Sequence, residues 1–258
     1  MPSFIVHSIA GEKIMEYLKL NGEAKNKFFI ANLLPDAVKL DIKSGVSDRN
    51  LKKEIQINKK NTHFKVNNES VLAYPDVDYF LCQYHNLVEK DIVALGYFFH
   101  LYTDYYYFSF FLPKYITFLD ANLNEIDKKS YNIYNKIDKT GLILKKQWFW
   151  NSDNLDGIYA EYNRINQYLI KKYNFSFDAN MYIDYLKKNN FVNMISETDI
   201  KDISNLLYEL NGYYQTSLNN RIEKLKIFLE SDIDNFICEV TDSFLKKYKY
   251  FIDVFLDK

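Results

Sequence analysis

Only two cysteines occur in the 258 residues, Cys82 and Cys238, and they sit in no paired motif. A disulfide framework is therefore not supported, and each is expected to be a reduced, buried thiol. Glycine and proline are scarce, at 7 and 4, which disfavours an all-β fold with its many tight turns. Neither sign of charge dominates: 33 Lys and Arg stand against 34 Asp and Glu, for a formal net charge of −1. No global basic field exists to hold nucleic acid, so any polyanion has to be met locally. The opening residues, MPSFIVHSIAGEK, show neither a basic cluster nor an apolar run of leader length, so a cytoplasmic location is the default expectation. Histidine is scarce too, limited to His7, His63, His85 and His100, so the position of each one carries information.

Apolar residues make up 48% of the chain, enough to bury a sizeable core, so disorder is not expected. The skew toward Lys, Asn, Ile, Tyr and Phe reads as coding bias, and a single Asn or Lys carries little weight. The longest apolar stretch, Asp91 to Leu112, is long enough to span a bilayer, for which roughly 20 residues are needed. His100 and Asp104 lie inside it, however, and ionisable groups at the bilayer centre cost several kcal/mol. A helix apolar nearly all round is instead the central core helix of a globular chain.

Helical periodicity and stop signals predict further helices over Ser8 to Leu20, Ala24 to Leu34, Val77 to Tyr84, and Lys114 to Ile137 with a break near Asn122. More follow over Leu155 to Lys172, Asp178 to Lys188, Ile200 to Leu229 and Ile233 to Phe255. Val38 to Val71 is polar and weakly periodic, a connection long enough to suggest function, and it contains His63. Thr140 to Asn154 is a second candidate loop. With no repeats and no clear linker, the expected organisation is one all-α domain over 1–258, a multi-helix bundle around a buried central helix.

His100 and Asp104 are four residues apart on that helix, so they share one face about 5–6 Å apart. An imidazole and a carboxylate so placed suit one borderline divalent ion. Chance alone produces a His-x-x-x-Asp pair in roughly a third of chains with four histidines. Burial adds weight, because an ionised carboxylate in an apolar helix is costly unless it is paired or metal-bound. A hydrogen bond between the two side chains, or one reaching Tyr or Lys on another helix, is the simpler alternative. His85 and Glu89 repeat the spacing in a polar stretch and read as solvated surface.

Around this pair the chain arranges an early His7 in PSFIVHSIAG, a Leu-x-Pro-Asp turn ending at Asp36, a Thr-His-Phe at His63, and Gly-Tyr-x-x-His-x-x-x-Asp from Gly96 to Asp104. Over about the first 110 residues this ordered set resembles the zinc-dependent phospholipase C family, whose fold is shared by the S1/P1-type nucleases. The resemblance implies a central zinc on Asp36, His63, His100 and Asp104, and a second sharing Asp104 with His7 and the N-terminal amine. A third site is missing, because no histidine follows His100. One or two ions are therefore expected, zinc first and other divalent metals as alternatives, with Glu161 or Asp156 as candidates to complete the second.

The implied activity is hydrolysis of a small phosphoester or phospholipid head group, with Asp36 or Asp104 as ligand and proton acceptor. Tyr97, Tyr102 and Tyr105 read as core aromatics, and Lys39 and Lys65 as solvated lysines. A nuclease acting on single strands is disfavoured by the absent basic surface. A degenerate or structural metal site in a binding or assembly module is the alternative from another class.

Overall fold

Ser3 caps the first helix, its hydroxyl accepting from the Val6 amide at 3.4 Å. Helix α1 (Phe4–Tyr17) therefore starts earlier than periodicity predicted, and His7 lies within its first two turns, not ahead of it. The computed structural model describes residues 2–37, 59–65, 69–193, 195–198, 200–219 and 223–256, with backbone only at 200–202. Lys39 and most of the Val38 to Val71 stretch lie outside the described residues.

Helix α2 (Gly22–Ala31) leads into a 3₁₀ turn, Leu34–Asp36, where Pro35 ends the helical run. A short helical turn at 59–62 precedes α3 (Val77–Val88), which Asp76 caps through the Tyr79 amide. Helix α4 (Ile92–Tyr106) is capped by Asp91, and every residue from Val93 to Asp104 is buried. It is the expected central helix, packed by α2, α3 and α1. Its α-helical form ends in a π-helical turn, Tyr107–Phe111, and a 3₁₀ turn at Leu112–Lys114. Among the described residues no helix is long and apolar enough to cross a membrane.

The predicted helix over Lys114 to Ile137 is not formed. Strands β1 (Ile116–Leu119), β2 (Tyr134–Ile137) and β3 (Leu142–Lys145) make an antiparallel sheet in the order β1-β2-β3. The break near Asn122 is a turn held by Asp120, whose Oδ1 accepts from the Asn122 and Asn124 amides at 2.8 and 3.0 Å. Gly141, at φ 71°, turns β2 into β3, placing a strand and then a helical turn (Lys146–Phe149) in the predicted loop. Four-residue strands contain too few alternations to outweigh a helical reading of the same residues.

Helices α5 (Ile158–Tyr173), α6 (Ala179–Lys188), α7 (Ile200–Asn219), α8 (Glu230–Lys247) and α9 (Lys249–Leu256) complete the chain. Helix α7 stops at Asn219, ten residues short of the predicted end at Leu229. The closing helix is divided at Tyr248. The architecture is mainly helical, and its buried apolar residues form one continuous cluster from Phe4 to Ile252. Both cysteines are free and exposed, contrary to expectation. Helix α3 buries Val77, Phe80 and Val88, and α8 buries Phe236, Ile237 and Val240, so Cys82 and Cys238 fall on the opposite faces.

Candidate metal centre

Four separate pieces of chain deliver the five predicted side chains to one place. Helix α1 carries His7, the 3₁₀ turn carries Asp36, the segment after the 59–62 turn carries His63, and α4 carries His100 and Asp104. Close approach of α2 and α4 is permitted by Gly96, one turn before His100. A Cβ there would stand 2.7 Å from the Phe28 carbonyl oxygen and 3.0 Å from the Ala31 Cβ. Gly11 plays the same part on α1, where a Cβ would fall 2.6 Å from Asn32 Nδ2. The backbone after His63 turns through Phe64, at φ 50°, a left-handed conformation that costs a bulky residue about 1–2 kcal/mol. Burial of the Phe64 ring against Phe80, at 5.0 Å, and Tyr97, at 6.3 Å, offsets that cost.

The ligand atoms form two interlocked trios, His7–His100–Asp104 and Asp36–His63–His100, with the atoms of each trio within 4.8 Å of one another. His63 Nε2 lies 3.4 Å from His100 Nε2, 3.6 Å from Asp36 Oδ1 and 3.6 Å from Asp104 Oδ2. His7 Nε2 lies 3.3 Å from Asp104 Oδ1, and the His7 ring stacks on His100 at 4.0 Å. Donors held tetrahedrally at about 2.0–2.2 Å from one ion stand about 3.3–3.6 Å from each other. The spacing within each trio fits a bound cation.

Hydrogen bonds on the outer sides of the rings decide which nitrogens point inward. His100 Nδ1 faces the Asn32 carbonyl at 2.8 Å, and His63 Nδ1 faces the Lys59 carbonyl at 2.8 Å. A carbonyl only accepts, so each Nδ1 carries the proton and each Nε2 presents a lone pair. Two lone pairs then face each other across 3.4 Å, which is repulsive without a cation between them. His7 and Asp104 point the same way. Both His7 nitrogens and both Asp104 oxygens are buried and make no hydrogen bond among the described residues, the 3.3 Å contact between them being misaligned. Such orphaned groups are costly in a dry interior.

Electrostatics favour deprotonated ligands. Burial, with the neighbouring His7, pushes His100 down to about 4. Burial likewise depresses His63 well below its ordinary value. Burial by itself would raise both carboxyls, but interactions with the surrounding lysine and imidazole groups outweigh it. Lys59, His100 and His63 hold Asp36 below the usual range, and His7 and His100 do the same for Asp104. Asp36 has an ammonium partner, Lys59 Nζ at 3.2 Å. Among the described residues Asp104 has no Lys or Arg partner, only His7 and His63.

Several residues that hold the centre were not singled out in the sequence. Asn32 accepts from His100 through its carbonyl and donates from Nδ2 to the His7 carbonyl at 2.8 Å. Thr62 donates to the Pro35 carbonyl at 2.7 Å, tying the His63 segment to the Asp36 turn. Tyr97 donates to the Thr62 carbonyl at 2.5 Å, a bonded role beyond that of a core aromatic. An Asn, a Thr and a Lys are too common in this composition to be distinguished without coordinates.

The two candidates for completing a second site are otherwise engaged. Glu161 is buried on α5, where it accepts from the Lys226, Ile227 and Phe228 amides at 2.9, 2.8 and 3.0 Å and from Arg164 at 3.2 Å. Asp156 is on the surface, paired with Lys226 at 2.6 Å. His85 is exposed beside Glu89 at 3.7 Å, as read from the sequence. Lys65 reaches over the Phe108 ring at 5.5 Å instead of standing free in solvent.

Fold and site together define a mainly helical protein with a buried His/Asp cluster able to hold a metal ion. No protein-family model matches the chain, and searches of curated proteins and of solved structures return no significant match.

Proposed function

We propose that this chain is a metal-dependent phosphoester hydrolase, with zinc as the first candidate ion and a small phosphoester or phospholipid head group as substrate. One observation carries the reading: the inward lone pairs of His63 and His100, 3.4 Å apart, with carboxylate oxygens of Asp36 and Asp104 at 3.6 Å. Imidazole and carboxylate together suit zinc better than calcium or magnesium, which favour all-oxygen shells. The resemblance of the ordered motifs to the zinc-dependent phospholipase C family adds the expectation of phosphoester chemistry.

His63, His100, Asp36 and Asp104 would hold the ion, with His7 beside Asp104 available for a second. When bound, a divalent cation acidifies water and neutralises charge on a phosphoryl oxygen. The Asn32 and Lys59 carbonyls keep both imidazoles oriented through the reaction. Asp36, its side chain 12% exposed, is the ligand with some solvent access and would mark the side of the centre that water reaches. Exposed free thiols at Cys82 and Cys238 agree with a reducing, cytoplasmic setting.

A second reading has its own observation. His7, His63, His100 and Asp104 are fully buried, as in a closed structural metal site. The test is elemental analysis of purified protein combined with turnover of p-nitrophenyl phosphate mono- and diesters. Hydrolysis lost on chelation and regained with zinc supports the hydrolase. Bound metal without turnover on either ester supports the structural site.

A further inference from the structure

We propose that Lys59 is a phosphate-positioning residue of this centre, its ammonium binding a non-bridging oxygen of the substrate phosphoryl group. The proposal rests on the phosphoester reading above.

Lys59 occupies a boundary. Its Nζ contacts Asp36 Oδ1 at 3.2 Å, the same oxygen that faces His63 Nε2 at 3.6 Å. Its carbonyl meanwhile accepts from His63 Nδ1. The lysine thus reaches the ligand set through both its main chain and its side chain. Its side chain is 38% exposed, against 12% for Asp36 and none for His63 or Asp104. Among the described residues touching the cluster, Lys59 is the partly exposed cation that an incoming anion would meet.

Charge balance points the same way. With His63 and His100 neutral, the proposed ligand set holds two carboxylates, Asp36 and Asp104. One divalent ion and the Lys59 ammonium exceed them by a single positive charge, so the loaded site attracts an anion. A cation drawing on Asp36 Oδ1 also weakens that oxygen as an acceptor for Lys59, and an ammonium has three N–H donors to share. A phosphoryl oxygen bound beside the ion would take one of them, with the ammonium acting where a further metal ion would otherwise neutralise charge.

Two half-exposed tyrosines lie near Lys59. Tyr159 on α5 and Tyr213 on α7 stand close enough for their phenols to interact with the Lys59 charge, and both are about half exposed. Helix α7 also packs on the 3₁₀ turn that carries Asp36. An organic group on the phosphoryl substrate would meet aromatic faces on this side of Lys59.

The test uses zinc-loaded full-length protein and inorganic phosphate, with binding read by titration calorimetry. Lys59→Met is expected to weaken phosphate binding at least tenfold while zinc occupancy stays at the wild-type level. Lys59→Arg should restore most of the affinity, and in turnover the loss in Lys59→Met should fall on KM more than on kcat. Phosphate affinity in Lys59→Met within twofold of wild type would overturn the proposal. Loss of zinc from that variant would overturn it too, by making Lys59 a support for Asp36 only. Lys59-dependent phosphate binding in a protein that hydrolyses neither ester would sink the hydrolase reading and leave the phosphate site standing.

Discussion

The Nε2 atoms of His63 and His100 stand 3.4 Å apart, and the opposite nitrogen of each ring faces a main-chain carbonyl at 2.8 Å. Those carbonyls belong to Lys59 and Asn32, in segments that meet only in the folded chain. Each carbonyl chooses a tautomer, and the two choices together create a pair of inward acceptors that needs a positive partner.

Removing either of two ligands on α4 should therefore empty the centre. His100→Ala and Asp104→Ala are each expected to reduce bound metal below a tenth of the wild-type content after dialysis, and to abolish ester hydrolysis. Elemental analysis checks the first part. Full metal occupancy in either variant contradicts the shared-ion assignment.

Acid should destabilise the metal-free protein before the carboxylates titrate. The folded chain holds His100 near 4, against about 6.5 when unfolded, so between those values the unfolded chain binds more protons. Stability is then greatest above pH 6.5 and falls as pH drops toward 4, by on the order of 3 kcal/mol from His100 alone. Asp36 and Asp104, also depressed, withdraw further stability only below about pH 4. Urea unfolding of chelated protein at pH 7, 5.5 and 4.5 measures the trend, and equal midpoints at all three would contradict it.

Gly96→Ala should disturb the α2–α4 contact, because its new methyl group meets a backbone carbonyl oxygen at 2.7 Å. Overpacking of this kind costs about 1–3 kcal/mol. Thermal unfolding should occur several degrees lower, with metal affinity reduced as His100 shifts against the Asn32 carbonyl. An unchanged melting temperature would mean that the helices separate at no cost.

Glu161→Ala distinguishes a supporting carboxylate from a ligand. Three amides lose their acceptor and Arg164 loses one of several, so a loss on the order of 3 kcal/mol is expected, from the cost of unsatisfied buried donors. Metal stoichiometry in the folded variant should stay at the wild-type value. A lowered stoichiometry would return Glu161 to the ligand set.

Tyr97→Phe removes the donor to the Thr62 carbonyl, next to His63. A loss of about 1 kcal/mol is expected, typical of one hydrogen bond. The zinc dissociation constant should rise severalfold, because His63 is less firmly placed. A competition titration with a chromogenic chelator reads this directly, and an unchanged constant would remove Tyr97 from the support of the site.

Much of the helical fold was legible because helices announce themselves within one segment. Asp91 to Tyr106 combines a capping carboxylate with apolar residues on all faces, and it became the buried centre. Asp76 and Asp178 likewise mark the starts of α3 and α6. The sheet was not legible. Strand β1 pairs with a distant β2, as Ile116 does with Ile137, and each strand of the sheet, the nearer β2–β3 hairpin included, is too short to leave much local pattern. Among the candidate ligands, His100 and Asp104 could be read from helical spacing, and His7, Asp36 and His63 from ordered motifs.

The amino-acid order by itself determined a mainly helical chain with a polar pair inside its most apolar helix, because periodicity, capping and burial cost act over a few neighbouring residues. Tertiary structure alone decided that the Asn32 carbonyl orients His100, that the Lys59 ammonium reaches Asp36, and that Glu161 holds main-chain amides instead of an ion. Contacts across 23 to 68 residues of separation make those choices. Their partners are common residue types, distinguished only by where the packed helices put them.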